Sequence, residues 1–196
     1  MPATSGAISG NTTLTVIFTD NFTGTNGSPL SASWQIPTVK LFTYRRRYSF
    51  GGFQLQSNQA VSVGTGFDAE QVVGQSLLNP TLQADLNASA NLVGLMARIQ
   101  TNGDAYVGLI TKDGTPEIGI YNGLTKTLTV LASGTPGSNS LTGVKFIVNG
   151  STLTMQNSSG NTLVTTTDKT LSAPGGVGIF AEGAGGILDN FSVSGP

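Results

Sequence analysis

More than ten short apolar runs, each closed within a few residues by Gly, Asn or Ser, divide this chain, and that punctuation decides what it can fold into. Helices draw on longer stretches of Ala, Leu, Glu and Lys with apolar positions recurring every three to four residues. Here charged residues make up only 10%, and Gly alone takes 27 positions, so the pattern favours strands joined by turns. Leu82-Gln83-Ala84-Asp85-Leu86-Asn87 alternates apolar with polar side chains, as a strand with one core-facing side requires. Residues 93–100 and 105–111 flank Thr101-Asn102-Gly103-Asp104, where Asn-Gly supplies the positive φ angles of a tight reversal. Ser57-Asn58, Asn149-Gly150 and Ser159-Gly160-Asn161 mark further reversals. The runs predict an all-β sandwich or barrel. One stretch departs from them: over 68–78, Asp68 suits a helix cap with Gln71 returning the bond, which predicts a short helix ended by Asn79-Pro80.

At 196 residues and 20.0 kDa the chain can enclose a sizeable core within one β-sandwich. A single domain is expected over 14–194, with 1–13 as an N-terminal arm. The formal net charge of −1 gives the whole molecule little field to gather nucleic acid or an anionic membrane. No cysteine is present, so disulfides and thiolate metal sites are excluded. No stretch reaches the ~20 apolar residues of a membrane-spanning helix. The start, Met1-Pro2-Ala3-Thr4-Ser5-Gly6, lacks the basic and apolar regions of a secretory leader.

The two ends of the predicted domain nearly repeat each other. Ile17-Phe18-Thr19-Asp20-Asn21-Phe22 opens it and Ile187-Leu188-Asp189-Asn190-Phe191-Ser192-Val193 closes it. In each, an apolar run meets Asp-Asn-Phe, which predicts paired terminal strands with Phe22 and Phe191 in the core. The order of landmarks then becomes specific. Asp20-Asn21-Phe22 with Gly27, Leu30 and Trp34, Gly52-Phe53-Gln54-Leu55, and Asn58-Gln59-Ala60-Val61 come first. Gly94-Leu95-Met96-Ala97-Arg98, Val144-Lys145-Phe146-Ile147-Val148-Asn149-Gly150 and Pro174-Gly175-Gly176-Val177-Gly178-Ile179 follow, before Leu188-Asp189-Asn190-Phe191. This series resembles concanavalin A-like, laminin-G-like jelly-roll modules of bacterial secreted proteins and phage virions. The resemblance implies a two-sheet antiparallel sandwich, first and last strands paired, with Trp34 packed between the sheets. Residues 37–50 are longer than that family's pattern at this position.

With no histidine, a Ser-His-Asp triad and any His-based general base are excluded. A glycoside hydrolase can work with two carboxylates. Asp68 and Glu70 are the pair with suitable strand spacing, but the Glu-x-Asp-x-x-Glu signature of the related glucanases is absent. A non-catalytic module is expected, with a polysaccharide-active enzyme using only carboxylates as an alternative. Gly175-Gly176-Val177-Gly178 lacks the Lys-Ser/Thr ending of a phosphate loop and reads as a turn.

Three sets of residues carry the functional expectations. Lys40, Tyr44, Arg45, Arg46, Arg47 and Tyr48 concentrate four of the nine basic residues beside aromatics, suiting either contact with a protein or acidic-glycan partner or a guarded sheet edge. Arg98 and Tyr106, joined by Tyr121, are expected to face outward from the central hairpin, as a glycan site or as an ordinary cross-strand pair. Asp20 and Asp189 either cap turns or, as the family resemblance implies, hold a structural calcium ion; no other cofactor is expected. Together these predict a surface-contact module displayed outside a cell or on a virion, foremost a phage-type virion surface protein, decorating the capsid or associated with the tail, with protein neighbours or glycans as partners and no nucleic acid. The alternative is a carbohydrate-binding domain of a larger secreted protein; assembly into a homo-oligomer suits either.

Overall fold

The structure is a computed structural model that describes residues 14–37, 52–89 and 91–196. Fifteen strands, and no helix, form among these residues. In chain order they are β1 (Thr15–Asp20), β2 (Trp34–Gln35), β3 (Phe53–Gln56), β4 (Gln59–Ser62), β5 (Phe67–Val72), β6 (Thr81–Asn87), β7 (Leu92–Ile99) and β8 (Ala105–Thr111). The rest are β9 (Pro116–Asn122), β10 (Thr127–Ser133), β11 (Ser140–Asn149), β12 (Thr152–Gln156), β13 (Thr162–Thr167), β14 (Gly176–Glu182) and β15 (Ile187–Gly195). One sheet runs β13-β12-β11-β6-β15-β4-β3, with β1 joined to β15; the other runs β10-β9-β8-β7-β14-β5-β2. All pairings are antiparallel, and the fold is the expected concanavalin A-like jelly roll.

Turn chemistry sets the reversals. Ser57 and Asn58 both adopt left-handed φ, 53° and 59°, which joins β3 to β4 through the two-residue turn that matches strand twist. Gly103 takes φ 85° between β7 and β8, where a Cβ would be strained.

The twin terminal segments lie side by side, Asp20 opposite Phe191. Phe22, Trp34 and Phe191 are buried together, with Trp34 5.0 Å from Phe191 and 5.6 Å from Phe22 between ring centroids. The Trp34 indole N–H donates to Asp20 Oδ2 at 2.8 Å, and the Phe22 amide donates to Oδ1 at 2.7 Å. A hydrogen bond to a charged acceptor contributes about 1.5–3 kcal/mol, so Asp20 both closes its turn and fixes the single tryptophan.

The stretch expected to be helical is instead β5 followed by turns. Pairing decides it: β5 lies between β14 and β2, with Asp68 opposite Ala181 and Glu70 opposite Ile179. Its alternation places Asp68, Glu70 and Val72 toward the space between the sheets and Ala69 on the outer face, a demand that outweighs the local cap signal.

The main core fills the space between the sheets, with Phe146, Leu82, Phe191 and Val193 meeting Leu95, Tyr106, Ile118 and Ile179. A second apolar cluster occupies the outer face of the β10–β2 sheet, where Met96, Val107, Leu109, Tyr121 and Phe180 are buried. Phe67 stacks on Phe180 at 5.3 Å there. Both faces of β7 are consequently buried along its whole length.

Candidate functional site

The central hairpin corrects the outward placement of Arg98 and Tyr106. Alternation along β7 holds from Leu95 and Ala97 in the main core to Met96 on the outer face, and then breaks. Between Met96 and Ile99 the register against β14 shifts by a residue, and Arg98 takes φ 51°. A bulge of this kind exchanges the faces of the residues after it. Ile99 therefore joins the outer face while Arg98, 2% exposed, turns inward.

Arg98 meets no carboxylate among the described residues. Its Nε donates to the Leu78 carbonyl at 2.7 Å, Nη1 to Leu171 at 2.6 Å, and Nη2 to Gly150 at 2.7 Å. Burial lowers its pKa, with the nearby Tyr106 acting in the opposite sense. The guanidinium stands over the Tyr106 ring at 5.9 Å. Tyr106 points into the main core, because its neighbours Val107 and Leu109 take the apolar outer face. Its hydroxyl donates to Asp168 at 2.6 Å and accepts the Leu171 amide at 3.0 Å. Desolvation and the Asp168 bond push its pKa up to about 12. Tyr121 opposes Ala105 and belongs to the outer-face cluster, fully buried. The three do not form one solvent-facing site. Arg98 and Tyr106 tie the loops at 78, 150, 168 and 171 to the sheet.

Asp20 is engaged as described above. Asp189 accepts from the Asn190 amide at 2.7 Å and faces Asp85 across the ladder. Asp85 takes the Gly143 amide and the Asn190 side chain, both at 2.7 Å. Among the described residues no three His, Cys, Asp or Glu side chains converge. Lys40, Tyr44, Arg45, Arg46, Arg47 and Tyr48 lie outside the described residues.

Asp68 and Glu70 are buried, and one oxygen of each accepts a backbone amide, while Asp68 Oδ1 has no hydrogen-bond partner among the described residues. Gly64 donates to Asp68 at 2.7 Å and Phe53 to Glu70 at 2.9 Å. Burial raises both pKa values, and in Glu70 the charge of Asp68 adds to the rise. Neither opens onto the pocket described next.

That pocket, of about 320 Å³, lies where β5, β7 and β14 end together. Gln71, Gln75, Ser76, Gln100 and Thr101 give it polar walls, Pro37, Ile99 and Pro174 apolar ones, and Gly175 and Gly176 a backbone floor. The bulge that buries Arg98 is what delivers Ile99 to this wall. A Cβ on Gly175 would come within 2.5 Å of the Arg98 carbonyl carbon, so that part of the floor must be bare, whereas one on Gly176 would stand 2.8 Å from the movable Gln71 Oε1. The Gln100 side-chain amide donates to the Arg98 carbonyl at 2.8 Å, and its oxygen accepts no hydrogen bond from a described residue. The side chains of Gln71, Gln75, Ser76 and Thr101 make no hydrogen bond with any described residue. Among the described residues no charged group lines the pocket.

Uncommitted amides and hydroxyls around an apolar wall offer paired donors and acceptors to a neutral, hydroxyl-rich ligand. Sequence reading missed this group, because its members come from 37, 71–76, 99–101 and 174–176 and only the fold gathers them. The one local signal was a run of neutral polar residues where strands end.

No family model matches the chain, and no curated protein matches it. Solved structures do. A carbohydrate-binding module, CBM66, from Bacillus subtilis superposes with TM-score 0.62 at 13% identity, covering 83% of this chain and 96% of that one. A Bacillus licheniformis β-glucanase gives 0.54 at 12% identity over 90% and 95%. A Bacillus subtilis protein of unknown function with a galectin-like fold gives 0.54 at 10% identity over 91% and 94%. At such identities the likeness establishes the jelly-roll fold, and both binding modules and enzymes share it.

Proposed function

We propose that this protein is a non-catalytic carbohydrate-binding module whose pocket at the β5, β7 and β14 ends takes neutral glycans. One observation carries the reading: four polar side chains without hydrogen-bond partners among the described residues, Gln71, Gln75, Ser76 and Thr101, converge on a pocket whose described lining is uncharged. Amide groups that would otherwise bond only water exchange those bonds for sugar hydroxyls, while Ile99, Pro37 and Pro174 meet the C–H faces. The fold likeness to a carbohydrate-binding module supports this as analogy. The burial of Asp68 and Glu70 speaks against the two-carboxylate enzyme, which needs both groups beside a bound substrate. The setting proposed, outside a cell or on a virion, rests on composition: low charge, no cysteine and a surface rich in Ser, Thr and Gly.

A glycan array spanning neutral and anionic structures tests this. The wild type is expected to retain neutral glycans. Gln71→Ala should weaken retention about tenfold, the scale of one or two hydrogen bonds. Gly176→Ala, which displaces the Gln71 amide, should do the same without loss of fold. Retention of anionic glycans alone, or neutral binding untouched by both changes, contradicts the proposal.

A further inference from the structure

We infer that Gln100 is the specificity-determining residue of the pocket, an acceptor that cannot turn over into a donor, and that it selects glycans bringing a free hydroxyl to it; this selection rests on the carbohydrate-binding reading above.

A side-chain amide offers a ligand both an N–H donor and a carbonyl acceptor, and when unheld it turns over to suit. Gln71 and Gln75 keep that freedom, since neither makes a hydrogen bond with a described residue. Gln100 does not. Its Nε2 donates to the Arg98 carbonyl at 2.8 Å, and the Ala173 and Pro174 carbonyls lie 3.5 Å from the same nitrogen. Carbonyl oxygens only accept, so turning the amide over would set Oε1 against all three of them.

The backbone holds the residue as well. The Gln100 amide donates to the Asp104 carbonyl at 2.8 Å, and the Gly103 amide donates to the Gln100 carbonyl at 2.9 Å, which closes the β7–β8 reversal. The Arg98 carbonyl is placed by the bulge at φ 51°, with the guanidinium anchored on the Leu78, Leu171 and Gly150 carbonyls. The donors of the Gln100 side chain are therefore committed within the protein, and what it can give a ligand in the pocket is Oε1 alone. An acceptor fixed in advance needs little ordering on binding and discriminates through the contacts it refuses. A ligand hydroxyl meets it by donating. An ether, an ester or a fluorine at the same position brings only lone pairs and leaves Oε1 against another acceptor.

The glycan array supplies the probe: the neutral oligosaccharide retained best, remade as monodeoxy and monodeoxyfluoro derivatives, one hydroxyl at a time. Calorimetric titration of the wild type is expected to find one position where both derivatives bind equally weakly, roughly tenfold below the parent, the scale of one hydrogen bond. In Gln100→Leu the discrimination at that position should vanish, parent and derivatives binding alike, while discrimination at the other positions persists. A Gln100→Leu variant that binds parent and derivatives more weakly by one common factor, with every discrimination kept, gives Gln100 a structural role only and overturns the inference. So does a wild type that tolerates fluorine at every position. If no neutral oligosaccharide is retained, the carbohydrate-binding reading falls and this selection with it; retention without the Gln100-dependent position removes the selection alone.

Discussion

Arg98 shows how one residue can carry a large structural share in a chain with few charges. Its guanidinium satisfies three backbone carbonyls from separate loops. Removing it strands those acceptors in the interior at about 1–3 kcal/mol each. Arg98→Met is therefore expected to lower stability by at least ~3 kcal/mol, a fall in Tm of ~6–12 °C for a domain of this size. Arg98→Lys should recover only part of this, since an ammonium cannot fork to three fixed carbonyls. Calorimetry checks both; a variant of unchanged stability with altered glycan retention would make Arg98 a ligand contact instead. The sequence showed that Tyr106 opposes Val107 and Leu109 in direction. It did not show which set faces the core, because both faces of this sheet are apolar, nor did it mark the bulge that turns Arg98 inward.

At the scale of elements, the two sheets meet where a glycine leaves room for a ring. Phe146 on β11 fits over Gly108 on β8, and a Cβ at Gly108 would stand 2.6 Å from Phe146 Cδ2. Gly108→Ala should cost about 1–3 kcal/mol through overpacking. Phe146→Leu in the same chain should relieve part of that penalty, so urea midpoints for the single and double variants will be non-additive. Purely additive effects would show that the two positions do not share this space. Strands and reversals were the legible part of the sequence, since Asn-Gly turns and period-two alternation are local signals; the Asn102-Gly103 hairpin formed where they placed it. At β5 a local cap signal pointed to a helix, and pairing with β14 and β2 overrode it. The bond from Trp34 to Asp20 links residues 14 apart and became visible only once the terminal strands lay together.

For the whole molecule, buried carboxylates set a pH dependence of stability. Burial raises the pKa of Asp68 and Glu70 despite backbone donors that pull the other way. A group raised in the folded state contributes stability fully below its unfolded pKa of about 4, and that contribution is lost as pH rises through the folded value. Glu70→Gln removes this loss. Its stability relative to the wild type should thus grow between pH 4 and pH 7 in denaturant titrations, and a relative stability that shrinks over that range contradicts the assignment. Asp168 has the opposite sense. Desolvation pushes it up, but hydrogen bonds from Tyr106 and Thr170 hold it below its ordinary value, so its contribution is lost on acidification. None of these three groups borders the pocket, so pH should alter stability more than glycan recognition. The central claim is that the pocket at the β5, β7 and β14 ends is the glycan site. Titrating neutral oligosaccharides into isotope-labelled protein, and following the side-chain amide resonances of all glutamines, tests it most directly. Gln71, Gln75 and Gln100 should shift saturably while Gln54, Gln83 and Gln156 on the opposite sheet stay fixed. Saturable binding that leaves the three pocket glutamines unmoved would contradict the account.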